Sequence, residues 1–245
     1  MYFQFHNHQV HFVDEGQGRP VLLLNGVYMN TRSWDPFIAE APAACRLIRL
    51  DFFNQGDTDR LDEDYPISLQ ADLVIGLIEH LGLDQVDLVG TSYGGVVALA
   101  VAARRPDLVR RMVVSNTAAH FPPSFHTMIL SLTTAFGALA WSGPRIFNSL
   151  THITRSIDGV DLRQDLAQIT CPTLVISSDY DALAPKHLQL AMVAGLPDSS
   201  YANVAHAGHV LVYERPREFA GLAFGFLEEP GATLPTKTVQ HTHPR

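Results

Sequence analysis

The chain has few cysteines and no surplus of basic residues. Cys45 and Cys171 are its only cysteines among 245 residues, they form no C-x-x-C pair, and each falls at the edge of a different predicted strand. Lysine and arginine number 17 against 25 acidic residues, which gives a formal net charge of −8. No Lys- and Arg-rich stripe that could neutralise phosphates is present, so the composition argues against a nucleic-acid partner.

Segments for secretion or membrane insertion are also missing. The first residues, Met1–His6, lack a basic region followed by an apolar run, so we expect that the protein has no secretory signal. We therefore expect a cytoplasmic protein whose thiols are reduced. The stretch Met128–Trp141 contains no charged residue and is typical of an apolar helix. A bilayer span takes about 20 apolar residues, so this stretch is too short to be one.

What the chain does have is enough apolar sequence for a large core. Hydrophobic residues make up 47% of it. Strand-like runs alternate with helical ones, which predicts an α/β fold with a mostly parallel sheet and helices on both faces. We expect one domain over residues 1–228, with a reduced cap insertion at about 118–160, and a mobile tail over 229–245.

Two local elements are predicted near the start of this pattern. Val10–Asp14 and Pro20–Leu24 flank a Glu-Gly-Gln-Gly turn, which favours an antiparallel hairpin. Ser68–Leu81 carries leucine at every fourth position and is predicted to be an amphipathic helix. We expect Ser68 to cap its start and Gly82 to end it.

The most informative stretch is Gly90–Gly95, which reads Gly-Thr-Ser-Tyr-Gly-Gly. It lies between an apolar strand-like run and a helix-like segment, and G-x-S-x-G in that setting is a nucleophile elbow. A serine on so sharp a turn has a strained backbone, and a Cβ at either flanking glycine would collide with the adjoining strand or helix. The pattern predicts Ser92 as a nucleophile, with the N–H of Tyr93 at a helix N-terminus.

A triad of this kind needs an acid after the serine in chain order. Thr173–Ser178 is a β-rich apolar run, and two acids follow it, Asp179 and Asp181. A carboxylate just past the end of a parallel strand lies where such sheets place their sites. We favour Asp181 as the triad acid, because Pro185 opens the next helix four residues later, and interpret Asp179 as the acid that forms the turn.

The base is expected after the next strand, Ser200–Val204. His206 and His209 both follow it, and we favour His209 because a glycine frees the loop before it, whereas His206 lies nearer the strand end. A neutral imidazole would take the Ser92 proton while Asp181 fixes its tautomer and stabilises the imidazolium.

The histidines also permit a metal-site interpretation. His206 and His209 would need a third ligand at helical spacing, and none is evident in the sequence. His6 and His8 would face the same side of a strand, near His11, but a surface strand with spare histidines is the commoner arrangement. We therefore expect no metal and no cofactor.

The motifs together resemble the α/β-hydrolase fold across roughly residues 9–228. Five segments carry the resemblance in chain order: Leu22–Gly26, the Asp51–Thr58 loop, Gly90–Gly95, the Asp181–Pro185 loop, and Gly208–Phe219 with its Glu-Arg-Pro. The resemblance implies a serine esterase or thioesterase that works through an acyl-enzyme. It also implies an oxyanion hole made by the backbone N–H groups of Val27 and Tyr93.

One departure from the usual pattern sets an alternative function. Asn25-Gly26 stands where His-Gly is usual, and with Thr31-x-Ser33-Trp34 it is similar to bacterial acyltransferases that handle 3-hydroxyacyl chains on acyl carrier protein. Such an enzyme would pass the acyl group to an alcohol or thiol. A haloperoxidase-like activity would use the same triad, and a non-catalytic binding protein would have no need for an intact one.

The last expectation concerns the substrate pocket. We interpret Met128–Trp141 as a small lid whose apolar face lines an acyl pocket, with a helix packed on the core as the alternative. Asn25, Leu132 and Phe136 are the candidate pocket residues. A small lid predicts a small-molecule ester or thioester with a small to medium acyl group. An open site also admits water, which favours hydrolysis over transfer.

Overall fold

One twisted sheet organises the part of the chain that a computed structural model describes, namely residues 1–122, 131 and 151–228. Eight strands within those residues form the sheet, in the order β1-β2-β4-β3-β5-β6-β7-β8. The strands are β1 (Tyr2–Phe5), β2 (His8–Gly16), β3 (Arg19–Leu24), β4 (Cys45–Leu50), β5 (Val86–Thr91), β6 (Val109–Ser115), β7 (Thr173–Ser178) and β8 (Ser199–Val204).

The strands from β3 to β8 all run parallel, so their carboxyl ends share one edge of the sheet. This confirms the predicted parallel sheet. The predicted hairpin is wrong, because β2 pairs antiparallel with β4 and not with β3. β2 forms its hairpin with β1 instead. The segment between β2 and β3 therefore crosses over β4, which occupies the position beside β3.

Helices cover both faces of the sheet. Those described over their whole length are α1 (Asp35–Ile38), α2 (Ile67–His80), α3 (Tyr93–Arg104), α4 (Lys186–Gly195), α5 (Leu211–Glu214) and α6 (Pro216–Glu228). Alternate residues of β3 serve the two faces: Leu22 and Leu24 pack with α2 and α3, and Val21 and Leu23 pack with α1 and α6. All four are buried, as expected for a continuous apolar run in the middle of a parallel sheet.

The prediction for α2 is right about its buried face and its end. Leu73 and Leu77 are buried in the core, and Gly82 follows the helix with a left-handed backbone (φ 62°). The expected cap at Ser68 is wrong. The helix begins at Ile67 after Pro66, whose ring presets the backbone at the entry, and Ser68 already lies inside the first turn.

Both cysteines are free, as expected from the sequence, and the structure shows that both are buried. Burial raises the pKa of the Cys171 thiol to about 11. Among the described residues the longest helix, α2, has 14 residues, and none of the helices there combines the length and apolarity needed to cross a bilayer.

The expected cap insertion falls largely outside the described residues, and so do Leu132, Phe136 and the tail over 229–245. The two ends of the insertion meet, because His120 and Asp161 form an antiparallel bridge. Residues 151–155, which lie inside the expected insertion, are described and are helical.

Two exposed glycines should respond oppositely to the same substitution. No atom lies within 4 Å of a Cβ added at Gly82 or Gly221. Gly82→Ala should lower the free energy of unfolding by about 1 kcal/mol, because its backbone is left-handed. Gly221 lies inside α6, so Gly221→Ala should raise the free energy of unfolding by about 0.5–1 kcal/mol through helix propensity. Urea unfolding midpoints measure both, and changes of the same sign would contradict the assignment of Gly82 as the residue that ends α2.

Candidate active site

Ser92 occupies a sharp turn between β5 and α3. Its backbone is left-handed, with φ 51° and ψ −118°, because the strand ends at Thr91 and the helix starts at Tyr93. The Ser92 N–H donates to the carbonyl of Ser115 at 2.9 Å, which ties the turn to the neighbouring strand β6. A strained backbone of this kind persists only where its surroundings hold it.

The glycines beside Ser92 are required by close approach. A Cβ on Gly94 would lie 2.1 Å from the carbonyl oxygen of Leu24, and one on Gly90 would lie 2.5 Å from the carbonyl oxygen of Gly94. The first turn of α3 therefore packs directly against the ends of β3 and β5. The predicted collision of a side chain with the adjoining strand or helix is confirmed at both positions.

Ser92, His209 and Asp181 lie in one hydrogen-bonded chain. His209 Nε2 is 2.9 Å from Ser92 Oγ, and His209 Nδ1 is 2.8 Å from Asp181 Oδ1. An ionised carboxylate only accepts hydrogen bonds, so Nδ1 carries the proton and Nε2 is left to accept from the serine hydroxyl. The structure thus brings together the three residues favoured by the sequence.

Asp181 is held rigidly at the end of β7. Its side chain is fully buried, and Oδ1 also accepts from the backbone N–H groups of Leu183 and Ala184, both at 2.9 Å. Three donors therefore converge on one carboxylate oxygen. That arrangement fixes the direction in which the carboxylate meets the imidazole.

The rival acid and base lie in a surface network instead. Asp179 accepts from Asn203 Nδ2 at 2.8 Å and from the His206 N–H at 3.1 Å, and these hydrogen bonds hold its pKa below the usual range. The His206 ring contacts the Tyr180 hydroxyl at 3.0 Å. Both residues tether the loop after β8, and neither hydrogen-bonds to Ser92 or Asp181 in the described part of the chain.

The candidate oxyanion donors, Val27 and Tyr93, line the same cavity as Ser92. Gln55 Nε2 donates to the carbonyls of Gly26 (2.8 Å) and Val27 (3.0 Å). The C=O and N–H of a trans peptide point to opposite sides. Holding the Gly26 carbonyl on the Gln55 side therefore turns the Val27 N–H the other way. Gly26 itself adjoins the nucleophile, since a Cβ built on it would lie 3.6 Å from Ser92 Cβ.

Asn25 does not line the cavity, contrary to the expectation that it is a pocket residue. Its side chain is fully buried, with Nδ2 donating to the Leu50 carbonyl at 2.9 Å and to Gln55 Oε1 at 3.2 Å. Its Oδ1 accepts from Trp34 Nε1 at 2.8 Å. The amide therefore joins the loop after β3 to the end of β4.

One histidine–carboxylate cluster comes together away from Ser92. His11, Asp51 and Asp57 place ligand-type atoms within 4.8 Å of one another. Asp51, however, already accepts from the Thr31 N–H (2.7 Å), the Asp57 N–H (3.1 Å) and His11 Nδ1 (2.8 Å). Its carboxylate thus holds two loops together through charge-assisted hydrogen bonds.

The expected placement of the N-terminal histidines is wrong. His6 does not share a strand with His8, because His6 and Asn7 form the turn between β1 and β2, both with positive φ (47° and 67°). Two consecutive left-handed residues match the twist of a tight antiparallel hairpin.

A cavity of about 210 Å³ opens beside Ser92 and His209. Its apolar walls come from side chains on several elements: Val27, Met29, Val96, Phe121, Ile157 and Leu183. Tyr28 and Tyr213 also line it and are 59% and 54% exposed, so they lie where the cavity meets solvent. Among the described residues that line it there is no lysine, arginine or carboxylate.

Two buried residues with direct contacts to the site were missed by the sequence reasoning. Gln55 holds the loop after β3, and Asn116 donates from Nδ2 to the His209 carbonyl at 2.7 Å. Each follows a strand of the parallel region, Gln55 after β4 and Asn116 after β6. Polar residues just past the carboxyl ends of parallel strands are the signal that could have found them.

Known proteins resemble this chain over most of its length. The sequence pattern of the Alpha/beta hydrolase family matches residues 21–222. A 2-hydroxymuconate semialdehyde hydrolase from a Pseudomonas species is 26% identical over 89% of this chain and 90% of its own. The crystal structure of MGS-M2, an alpha/beta hydrolase enzyme from a Medee basin deep-sea metagenome library, is 27% identical. It has a TM-score of 0.88 and covers 96% of this chain and 100% of that one.

A further relative matches more strongly over a shorter stretch. The (E)-2-((N-methylformamido)methylene)succinate hydrolase of Acinetobacter baylyi is 34% identical over 110 residues, which is 45% of this chain and 42% of that protein. The named relatives are thus hydrolases that act on different compounds. The family match, which runs from β3 into α6 and includes the elbow and the loops after β7 and β8, shows that this chain belongs to the alpha/beta hydrolase family.

Proposed function

We propose that this protein is a serine hydrolase that cleaves carboxylic esters or thioesters of small to medium acyl groups through an acyl-enzyme. The observation that carries the proposal is the chain of hydrogen bonds from Ser92 Oγ through His209 to the buried Asp181, at 2.9 and 2.8 Å. The Ser92 end of this chain faces a cavity with apolar walls, where an acyl group would lie beside the serine.

The first half-reaction transfers the acyl group to the enzyme. Ser92 Oγ attacks the acyl carbon while His209 Nε2 takes its proton, and Asp181 stabilises the imidazolium that results. The tetrahedral intermediate carries a negative oxygen, to which the Val27 and Tyr93 N–H groups would donate. Each such donor contributes about 3 kcal/mol to transition-state stabilisation. Collapse of the intermediate breaks the bond to the leaving oxygen or sulfur, which receives the proton from His209.

The second half-reaction restores the serine. A water molecule gives its proton to His209 Nε2 and attacks the acyl carbon, and the carboxylic acid leaves as the proton returns to Ser92 Oγ. Tyr28 and Tyr213 line the cavity and are more than half exposed, which supports access of water to the acyl-enzyme. We therefore propose hydrolysis in preference to transfer to an alcohol or thiol, which would proceed from the same acyl-enzyme.

The character of the acyl group follows from the cavity walls. The described lining residues offer no cation to a carboxylate on the substrate. Burying such a charge without a partner is costly, so we propose an uncharged acyl chain. The cavity that the described residues bound has a volume of about 210 Å³, which supports a chain of few carbons.

Ser92 should react with a fluorophosphonate probe in stoichiometric amounts, because a serine with an adjacent base and oxyanion donors reacts fast. Ser92→Ala should lose both the labelling and the ester hydrolysis. Intact-mass spectrometry and peptide mapping measure the site. Labelling that persists in Ser92→Ala would contradict the assignment. A folded wild-type protein that is neither labelled nor active would favour the non-catalytic alternative.

Substitutions of the proposed acid and base should lower kcat far more than substitutions of the rival acid and histidine. His209→Ala should lower kcat as much as Ser92→Ala, by about 10⁶-fold, because the two act as one unit. Asp181→Asn should lower it by about 10⁴-fold. The matched controls are His206→Ala and Asp179→Asn, which alter only the surface network and should keep most of the rate. A larger loss of kcat in a control than in its counterpart, His209→Ala or Asp181→Asn, would assign the role to the control residue.

Acyl preference should plateau after a few carbons. Each methylene buried in the cavity contributes about 0.8 kcal/mol, or roughly fourfold in kcat/KM, until the cavity is filled. Leu183→Lys should lower kcat/KM for butyrate and hexanoate esters more than for acetate. The matched control Leu190→Lys, at an exposed leucine outside the cavity, should change none of them.

A panel of p-nitrophenyl esters and acyl-thioesters of increasing length measures this preference, with and without an alcohol acceptor. Equal losses at all chain lengths in Leu183→Lys would contradict a role in acyl binding. Rising activity through long acyl-thioesters, with transfer product on a hydroxyacyl acceptor detected by mass spectrometry, would put the acyltransferase first.

A further inference from the structure

We propose that Asn116 and Glu214 are positioning residues, which hold the backbone of the His209 loop from two sides and so keep the imidazole between Asp181 and Ser92. The inference rests on the proposed function, since it concerns the base of that reaction. The sequence pattern indicates neither role, and Glu214 stands in it as the first residue of the Glu-Arg-Pro motif.

Asn116 holds the carbonyl groups of the loop. It follows β6 with a left-handed backbone (φ 48°) and is fully buried. Its Nδ2 donates to the carbonyls of Gly208 (3.1 Å) and His209 (2.7 Å). Carbonyl oxygens only accept, so the NH₂ group must be the end of the amide that faces them. The Ser178 hydroxyl lies within hydrogen-bond distance of the Asn116 amide oxygen (3.1 Å) and of the Gly208 carbonyl.

Glu214 holds the N–H groups of the same loop. It is the last residue of α5, and its Oε2 accepts from the Gly208 N–H at 2.7 Å while Oε1 accepts from the Val210 N–H at 3.0 Å. The carboxylate lies close against the loop, since a Cβ on Gly208 would be 3.0 Å from Oε1. Hydrogen bonds from N–H groups to a carboxylate are charge-assisted, and these two lie at the protein surface.

The two residues act on adjacent peptide groups. Between them they bind the Gly208 N–H and C=O, the His209 C=O and the Val210 N–H, so the chain is held on both sides of the His209 side chain. The loop joins β8 to the single turn of α5 and has no ladder of its own to fix it. The imidazole must meet two partners at 2.8 and 2.9 Å, and a displacement of about 1 Å can cost about 10²-fold in rate.

Three variants test the inference. Asn116→Asp replaces the donor by an oxygen that faces two carbonyls, and Asn116→Ala removes the donor without adding charge. Glu214→Gln exchanges one acceptor oxygen for an NH₂ group that faces an N–H. The matched control is Glu218→Gln, the same change on an exposed glutamate in the first turn of α6.

The expected results separate positioning from substrate binding and from folding. Asn116→Asp should lower kcat by about 10²-fold and Glu214→Gln by about tenfold, with KM within about twofold of wild type. The kcat of Asn116→Ala should lie between those of wild type and Asn116→Asp. Glu218→Gln should match wild type. The thermal unfolding midpoint is measured for each variant, and kcat and KM are measured only at temperatures below that midpoint.

A second readout does not depend on activity. The ¹⁵N shifts of the His209 ring nitrogens, assigned with His209→Gln in ¹⁵N-histidine-labelled protein, report which nitrogen carries the proton. In wild type and Glu218→Gln they should show one tautomer, protonated at Nδ1. In Asn116→Asp and Glu214→Gln they should move toward the average of the two tautomers.

The outcomes distinguish this inference from the function on which it rests. Wild-type kcat and unchanged ring shifts in Asn116→Asp and Glu214→Gln, with Ser92 still labelled, would overturn the positioning roles and leave the hydrolase proposal intact. Changed ring shifts in those variants, in a protein whose Ser92 is not labelled, would support the positioning roles and overturn the proposed function. A rise in KM at constant kcat in Asn116→Ala would assign Asn116 to substrate binding instead.

Discussion

The site depends on the close approach of α3 to the ends of β3 and β5. That approach leaves a single residue, Ser92, to connect a strand to a helix, and it forces that residue into a left-handed backbone. Such a conformation costs about 1–3 kcal/mol and is held by the contacts around it. Gly94 makes the approach possible, because any Cβ there would meet the Leu24 carbonyl at 2.1 Å. The serine is thereby directed out of the sheet at the edge where the parallel strands end.

Other unusual backbone conformations gather at the same edge. Among the described non-glycine residues with positive φ, Asn54, Ser92, Asn116 and His206 each follow a different strand of the parallel region, namely β4, β5, β6 and β8. The remaining two form the tight turn between β1 and β2. The chain turns away from the sheet where it leaves each of these strands, and asparagine tolerates the left-handed region better than most residues. The strain is therefore concentrated where the candidate chemistry takes place.

Buried polar side chains then fix the loops that these turns begin. Asn25, Gln55 and Asp51 all bind backbone groups of neighbouring loops, and each is nearly or fully buried with its hydrogen bonds made inside the protein. Asp181, after β7, instead accepts from two backbone N–H groups of its own loop. Groups held in this way need no reorganisation when charge develops beside them, which is the condition for electrostatic stabilisation of an oxyanion. The loops are thus held both by their own residues and by buried side chains from other loops.

The sequence by itself determined the features that arise from neighbouring residues. The elbow around Ser92, the parallel sheet, the end of α2 at Gly82 and the order of serine, acid and histidine all follow from local pattern. Strand order is not local, so only the tertiary structure placed β4 between β2 and β3, and with it the buried positions of Asn25 and Gln55. The contact between Asn116 and the His209 loop spans more than 90 residues. No periodicity reports such a contact, because it exists only once the strands have taken their places side by side.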